Sequence, residues 1–293
     1  MNRHSLCWLC CGLTLLSTSA YGDWGLDASA GVTYDDNISN SLDADDRKAD
    51  TAAVIDVSGG VHEQLSGSTG LGLSLLASSD TFAQYTGLSD IGLGARLQMR
   101  TKFGLGAQAP WLAVAAQAMY RNFHYDYLDG WRYEAGITAG KQFGERWALR
   151  ATVRYDATVT TQTPPPLIPT LSGSPYDVYG WNLGVQGTYW LTGADLLSLA
   201  LNRRTGTVTT VSPPDDEVAE YADRAALNTV FGGPEVAYRI FATTLTTTLT
   251  WSHSLGERAA INLLYAYSRS RAPNDLGDYY ANVINLSLSY AFY

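Results

Sequence analysis

The C-terminal stretch, residues 280–293, alternates between two kinds of side chain along its whole length. One face carries the large apolar residues Ile284, Leu286, Leu288, Tyr290 and Phe292. The other face is small or polar at most positions. A period of two over this length predicts a β-strand. The length suits a tilted membrane crossing of about ten residues better than a strand of a soluble sheet, which is usually shorter.

The N-terminus has the pattern of a secretory signal peptide. A positive start at Arg3 is followed by an apolar core over residues 5–16 and by small residues over 17–22. We expect cleavage after Gly22, which leaves residues 23–293 as one folded domain. All three cysteines of the chain lie inside this segment: Cys7, Cys10 and Cys11. The mature chain is therefore expected to have no disulfide, thiolate metal site or catalytic cysteine.

The same alternation recurs along the rest of the chain and predicts an all-β fold. We predict a transmembrane, up-and-down antiparallel β-barrel of twelve strands over residues 23–293. The predicted strands are 24–34, 53–63, 70–78, 91–103, 112–121, 131–143, 147–157, 179–191, 196–204, 241–253, 259–268 and 280–293. Short connections alternate with longer ones, which is typical of the periplasmic turns and extracellular loops of an outer-membrane barrel.

The longest connection, residues 206–239, fits the alternation poorly. Pro213 and Pro214 precede two aspartates as a helix start signal, and Gly232, Gly233 and Pro234 form a stop signal. We predict an extracellular loop with a short helix here, because a strand at 224–231 would make the strand count odd. A barrel of fourteen strands, with one extra hairpin in this segment, is the alternative.

Aromatic and charged residues are distributed along the predicted strands as a bilayer requires. Aromatic side chains gather at both strand ends, and the apolar faces carry no charge in mid-strand. The charged residues on those faces are placed at strand ends: Glu63, Lys141, Arg203 and Arg269. Two aromatic girdles that flank a charge-free band fit lipid. A soluble β-sandwich, which also alternates and can be exported, is the competing interpretation.

Two short stretches carry a family resemblance. Residues 31–38, Gly-Val-Thr-Tyr-Asp-Asp-Asn-Ile, and the terminal residues 288–293 are similar to the opening and the C-terminal assembly signal of bacterial outer-membrane β-barrel proteins, in particular the β-barrel porin group. Leu288, Tyr290 and Phe292 correspond to the signal residues, although Tyr293 is extra. The resemblance implies an outer-membrane location, contact with membrane lipid and lipopolysaccharide, and recognition by the barrel assembly machinery. It does not specify a solute.

Side chains opposite the apolar faces are expected to line the lumen. Those on the fourth to seventh predicted strands include a basic track: Arg96, Arg100, Arg121, Arg132, Arg150 and Arg154. The acidic residues expected to face them are Asp27, Asp56, Glu134 and Asp156. Arginine forks bind carboxylates by two-point contacts, so the track suits anionic solutes. Alternatively, these charges form internal ion pairs that fill a narrow barrel.

The acidic balance of the chain limits its partners. The chain has 28 acidic and 19 basic residues, for a formal net charge of −9, which argues against binding to nucleic acid. Six aspartates cluster in the first loop, residues 35–50, but the twelve-residue spacing of a calcium loop is absent. A solvated acidic loop is the preferred interpretation, and we predict no metal or cofactor.

The function expected from these patterns is passive diffusion of small hydrophilic, anionic solutes through a porin-like channel. The first alternative is a structural or surface-interaction barrel with a closed lumen, which uses its loops for docking. The second is an outer-membrane hydrolase, in which His124 at the extracellular rim would be oriented by Asp126 or Asp129. No nucleophile motif accompanies His124 in the sequence, so we predict that the protein is not an enzyme.

Overall fold

The structure, a computed structural model, describes residues 23–167, 169–272 and 276–292, apart from the side chain of Asp23. The expected signal peptide, residues 1–22, lies outside the described residues. Within them the elements are β1 (Asp23–Asp35), β2 (Asp50–Gln64), β3 (Thr69–Phe82), β4 (Asp90–Lys102), β5 (Trp111–Phe123), β6 (Gly130–Phe143), β7 (Trp147–Thr160), β8 (Val178–Trp190), β9 (Asp195–Ser212), α1 (Asp216–Tyr221), β10 (Arg224–Asn228), β11 (Glu235–Ser254), β12 (Ala259–Arg271) and β13 (Asp278–Ala291). None of the helices in these ranges has the length and apolar character needed to cross a membrane.

Twelve of these strands close into an antiparallel barrel, as predicted. From β1 to β9 each strand pairs with its neighbour in sequence, and β11, β12 and β13 complete the ring. The ring is closed because β13 pairs with β1 and β9 pairs directly with β11. The strands of the ring are 13 to 20 residues long, which is sufficient for a tilted strand to cross a bilayer.

Half of the longest predicted loop, residues 206–239, is strand, so this part of the prediction was wrong. β9 runs on to Ser212, and β11 already begins at Glu235. β10 also lies where a loop was expected, but it pairs with residues 235–239 of β11 and, through a single bridge, with Pro166, and it stays outside the ring. The barrel therefore keeps twelve strands and does not gain the two of the alternative. The short helix is present as α1, and the Asp215 side chain caps its first turn.

The outward face of the barrel is apolar over most of its height. Leu93 of β4, for example, is 64% exposed. Toward the loop end, the rings of Tyr155 and Trp181 pack with centroids 5.2 Å apart, and toward the turn end Trp147 and Tyr189 pack at 4.5 Å. An exposed apolar band between two aromatic belts matches the hydrocarbon layer and its two interfaces. The closed ring also excludes the soluble sandwich.

One outward charge does not lie at a strand end. Arg203 was expected to end its strand, but β9 continues to Ser212. The side chain points outward between its paired neighbours, Leu183 of β8 and Leu245 of β11. The prediction was therefore wrong for Arg203. It is confirmed for the other outward charges that it named, which lie within two residues of their strand ends: Glu63, Lys141 and Arg269.

The extracellular mouth of the barrel is crossed by residues 206–242, which we call the cap. The ring of Phe231 in the cap packs on Tyr85 of the β3–β4 loop, with centroids 4.9 Å apart. The hydroxyl of Tyr125, in the β5–β6 loop, donates a hydrogen bond to the Leu227 carbonyl at 3.4 Å. β3 and β5 each lie five strands from β11 around the ring, in opposite directions. The cap therefore reaches from one wall to the other.

The cap is packed and hydrogen-bonded on both of its faces. Tyr238 and Ile240 of β11 are only 1% exposed. The β1–β2 loop lies against the cap: the Asn40 side chain donates to the Thr209 carbonyl at 3.0 Å, and Lys48 pairs with Glu235 at 3.1 Å. Since Tyr238 and Ile240 are buried and Glu235 is paired, this part of the cap is an ordered part of the fold.

The topology predicts which residues are accessible from outside the cell. Residues 23–293 contain no cysteine, so single cysteines can be introduced without background. Asp45→Cys lies in the long β1–β2 loop and Glu145→Cys in the short β6–β7 turn, and both positions are exposed. A membrane-impermeant maleimide should label Asp45→Cys in intact cells and Glu145→Cys only after the envelope is permeabilised. The reverse pattern would contradict the orientation.

Candidate functional site

All ten lumen positions predicted from the alternation point into the barrel. Arg96, for example, is flanked along β4 by Ala95 and Leu97, which are both exposed on the outer face. The six arginines lie on β4 to β7, and two of the carboxylates, Asp27 and Asp56, lie on β1 and β2. β1 and β7 are six strands apart in the twelve-strand ring. An acidic wall therefore faces a basic one, although solute contact by these residues stays a prediction.

The extracellular half of the lumen holds an ion-pair network on β6 to β9. Glu134 is shared: one of its oxygens pairs with Arg132 at 2.5 Å and the other with Arg154 at 3.3 Å. Asp156 of β7 pairs with Arg204 of β9 at 2.9 Å. In this half the charges are internal ion pairs, as the alternative interpretation expected.

Arg121 is also paired, with partners that the sequence analysis did not identify. Its Nη2 donates to Asp80 at 2.8 Å and its Nε to Asp90 at 2.6 Å. Both aspartates lie just beyond the predicted ends of their strands, so they were not counted among the lumen positions. Arg204, the partner of Asp156, was also missed, although it faces opposite to its neighbour Arg203. The alternation would have found the two aspartates if the strand ends had been predicted correctly, whereas Arg204 lies within the predicted strand 196–204 and was overlooked.

The periplasmic half of the lumen contains arginines with no carboxylate partner. In the described part of the chain, no ion pair involves Arg100 or Arg150. The guanidinium of Arg100 lies 4.2 Å from the centroid of the Trp111 ring. That ring lies against Gly140, where an added Cβ would come within 2.4 Å of it. Arg150 pairs in register with Gly140 and is close enough to repel Arg100.

Several N–H groups of these arginines have no hydrogen-bond partner. They are Nε of Arg100, Nε and Nη1 of Arg132, and Nε of Arg154, all buried from solvent and unpaired among the described residues. A buried donor without a partner costs about 1–3 kcal/mol, so each favours a water or an acceptor group from a solute. Unsatisfied N–H donors therefore lie both in the ion-pair network and at Arg100, which has no carboxylate partner among the described residues.

Several carboxylates of the β1–β2 loop are engaged by backbone groups. Asp50, only 2% exposed, accepts hydrogen bonds from the backbone N–H groups of Gln84 and Tyr85 at 3.1 and 2.9 Å. Asp36 accepts from the backbone N–H of Asn282 at 2.7 Å. Within the described ranges, no group of three or more His, Cys, Asp or Glu could hold a metal ion. The loop is therefore anchored to its neighbours at both ends.

His124 is not arranged as a general base. Its ring is exposed and makes no hydrogen bond with Asp126 or Asp129 in the described structure. Asp129 instead accepts from the backbone N–H of Phe123 at 2.6 Å. The geometry that a hydrolase needs at this rim is absent from the described residues.

Tyr176, in the β7–β8 loop, contributes a neutral hydrogen bond to the cap. Its hydroxyl accepts from the Asn228 side chain at 2.9 Å. Burial raises the pKa of Tyr176, and the nearby Tyr125 raises it further. Because the unfolded value is about 10, the stability that this neutral group contributes is complete below that pH and is lost as the pH rises above it. The contact therefore holds throughout the neutral range.

The three predicted assembly-signal residues, Leu288, Tyr290 and Phe292, project outward at the end of the chain. The rings of Tyr290 and Phe292 lie edge to face, with centroids 4.8 Å apart. Their recognition by the assembly machinery stays a prediction.

A solved outer membrane channel shares the fold of this chain. No protein-family model and no curated protein matches the sequence. A solved outer membrane channel from Pseudomonas putida F1 matches the structure with a TM-score of 0.58 at 14% identity, over 94% of this chain and 97% of the channel. The chain has the fold of an outer-membrane β-barrel. At this identity, the likeness extends to the fold alone.

Two further solved structures match less well. One is the NanC porin, with a TM-score of 0.46 at 13% identity over 90% of this chain and 98% of the porin. The other is an anion-selective porin from Comamonas acidovorans, with a TM-score of 0.42 at 10% identity over 93% of this chain and 100% of the porin. Scores this low support no argument about this chain.

The ion-pair network predicts a stability effect. Asp156→Ala leaves Arg204 without its carboxylate in a site where the two side chains are 8% and 2% exposed. We expect a loss of about 3 kcal/mol in the free energy of unfolding, the lower end of the range for breaking a buried pair, because the lumen is polar. Urea titration of the folded barrel, followed by gel mobility of unheated samples, measures it.

The matched control is Asp27→Ala, which removes a lumen carboxylate that is outside this network. The double variant Asp156→Ala/Arg204→Met should recover part of the loss, because no unpaired charge remains. Equal stability of Asp156→Ala and the unchanged protein would contradict the role of the pair.

Proposed function

We propose that this protein is a porin-like passive channel of the bacterial outer membrane for small hydrophilic, anionic solutes. The observation that carries the proposal is the pair Arg100 and Arg150, which face the lumen with no carboxylate partner in the described chain. The exposed apolar belt and the fold shared with an outer membrane channel support the location. Membrane lipid, lipopolysaccharide and the assembly machinery are the partners that this location implies.

The arrangement of charges favours anions for a physical reason. Basic side chains on β4 to β7 face Asp27 and Asp56 on the other wall, which produces a field across the lumen. A carboxylate or phosphate can accept two hydrogen bonds from one guanidinium, and the unmet donors of Arg132 and Arg154 continue this path toward the mouth. Several moderate sites in a row allow a solute to enter and to leave, which conduction requires.

Replacing the two unpaired cations tests the solute class. The variant Arg100→Gln/Arg150→Gln should lower the anion-to-cation permeability ratio roughly twofold or more, because the basic wall loses two charges that no carboxylate of the described residues pairs with. The zero-current potential of planar bilayers in a salt gradient measures this ratio.

The control variant for charge is Arg258→Gln, which removes one cation from an exposed periplasmic turn outside the lumen. Its permeability ratio should equal that of the unchanged protein. A double variant that keeps the original anion preference would contradict the proposed role of the basic wall.

The cap gives a specific reason to keep a second candidate function. It crosses the mouth and is packed on both faces, as a structural or surface-interaction barrel with a closed lumen would require. The two candidates differ in one measurable property, since a closed barrel carries no single-channel current.

Removing the central part of the cap distinguishes an open channel from a closed barrel. Replacing residues 213–235 by Asn-Gly joins β9 and β11 through a two-residue hairpin turn, next to the pair Ser212 and Val236. For a channel partly covered by the cap, we expect a measurable current from the unchanged protein and a current several times larger after the replacement. A silent unchanged protein that conducts only without the cap would favour the closed barrel.

A further inference from the structure

A groove on the outward face lies at the extracellular aromatic belt and surrounds one cation. The groove has a volume of about 460 Å³, and its lining includes Tyr155, Tyr179, Trp181, Arg203, Thr205 and Phe241. It forms where the pairing of β8 with β9 ends, at Gly180 and Gly206, while β9 continues beside β11. Its volume is within the range of small-ligand sites.

Arg203 lies on the wall that faces hydrocarbon, on the periplasmic side of this belt and two residues before Thr205 along β9. Its paired neighbours Leu183 and Leu245 are 53% and 52% exposed. The next outward position of β9, Thr205, is paired with Trp181 of the belt. A lipid-facing arginine destabilises a barrel less as its head approaches the interface, and its long stem allows it to reach upward. The guanidinium is thus within reach of the headgroups.

No carboxylate of the described chain neutralises Arg203. Arg269 also faces outward near the extracellular end, but it has a partner. Its Nε donates to Asp278 at 2.8 Å. The fold thus supplies an acidic partner to one outward arginine and none to the other. The counter-charge of Arg203 must come from outside the chain.

We propose that this groove binds the phosphate of a phosphorylated glycolipid of the outer leaflet, namely lipopolysaccharide. Arg203 makes the phosphate contact, because a guanidinium can donate two parallel hydrogen bonds to it. The exposed rings of Trp181 and Phe241 hold the apolar part of the lipid next to that contact. The inference rests on the outer-membrane location proposed above, but not on the solute class.

Lipid binding by the full chain in detergent tests the site. The probes are purified lipopolysaccharide and the same lipid after enzymatic removal of its phosphates, and native mass spectrometry measures the complex. We expect Arg203→Gln to bind intact lipopolysaccharide roughly tenfold more weakly, or worse, since a charge-assisted contact is lost. Dephosphorylated lipid should bind the unchanged protein as weakly as intact lipid binds Arg203→Gln.

The control variant is Arg269→Gln, which removes the same charge from the same end of the outer face and should bind like the unchanged protein. Gel mobility of unheated samples verifies that each variant is folded. Equal affinity of Arg203→Gln and the unchanged protein would overturn the site, as would equal losses for the two arginine variants. Tight binding of the dephosphorylated lipid would overturn the phosphate contact.

The failure of this site can be separated from a failure of the proposed function. Conductance is measured in bilayers that contain no phosphorylated glycolipid, so it does not depend on Arg203. A protein that conducts but binds the lipid equally with and without Arg203 overturns the lipid site alone. A protein that does not insert into bilayers overturns the outer-membrane location and the lipid site with it.

Discussion

Closure of the backbone hydrogen-bond ladder is the constraint on which the other features of this protein depend. In hydrocarbon no water can satisfy an unpaired N–H or C=O group, so a sheet must have no open edge. The pairings of β13 with β1 and of β9 with β11 remove both edges. Once the backbone is satisfied in this way, the outward side chains can be apolar, and the inward ones can carry the charges that a water-filled or ion-paired interior tolerates.

The wall of the barrel was predictable from the sequence because its two faces meet different surroundings. Lipid on one side and a polar lumen on the other produce a period of two, which predicted the twelve strands and the inward direction of the ten lumen residues named from the sequence. The cap lacks this signal, since its strands are buried on both sides. Val236, Tyr238 and Ile240 of β11 are almost fully buried, and so are Ala237 and Arg239, which face the opposite way. The alternation fails there for a physical reason, and β10 was missed with it.

The pairing of the lumen charges was less predictable than their direction. Alternation predicts whether a side chain points into or out of the barrel, but an ion pair also depends on strand register and on where each strand ends. Asp80 and Asp90 pair with Arg121 because β3 and β4 extend beyond the predicted ends. Arg204 reaches Asp156 across the intervening strand β8, where Gly180 leaves the space that the guanidinium occupies. The contrast between the paired charges of the extracellular half and Arg100 and Arg150, which have no ion pair among the described residues, therefore required the structure.

The way the cap is attached has a consequence for how the mouth works. A lid on flexible hinges opens and shuts, but β9 and β11 enter the cap as continuous strands that stay paired as far as Ser212 and Val236. These paired strands have no hinge, so the cap cannot move away from the mouth without breaking a ladder of backbone hydrogen bonds. In the proposed channel the cap would then be a fixed obstacle at the mouth, and the flux would follow the solute gradient without a gating step.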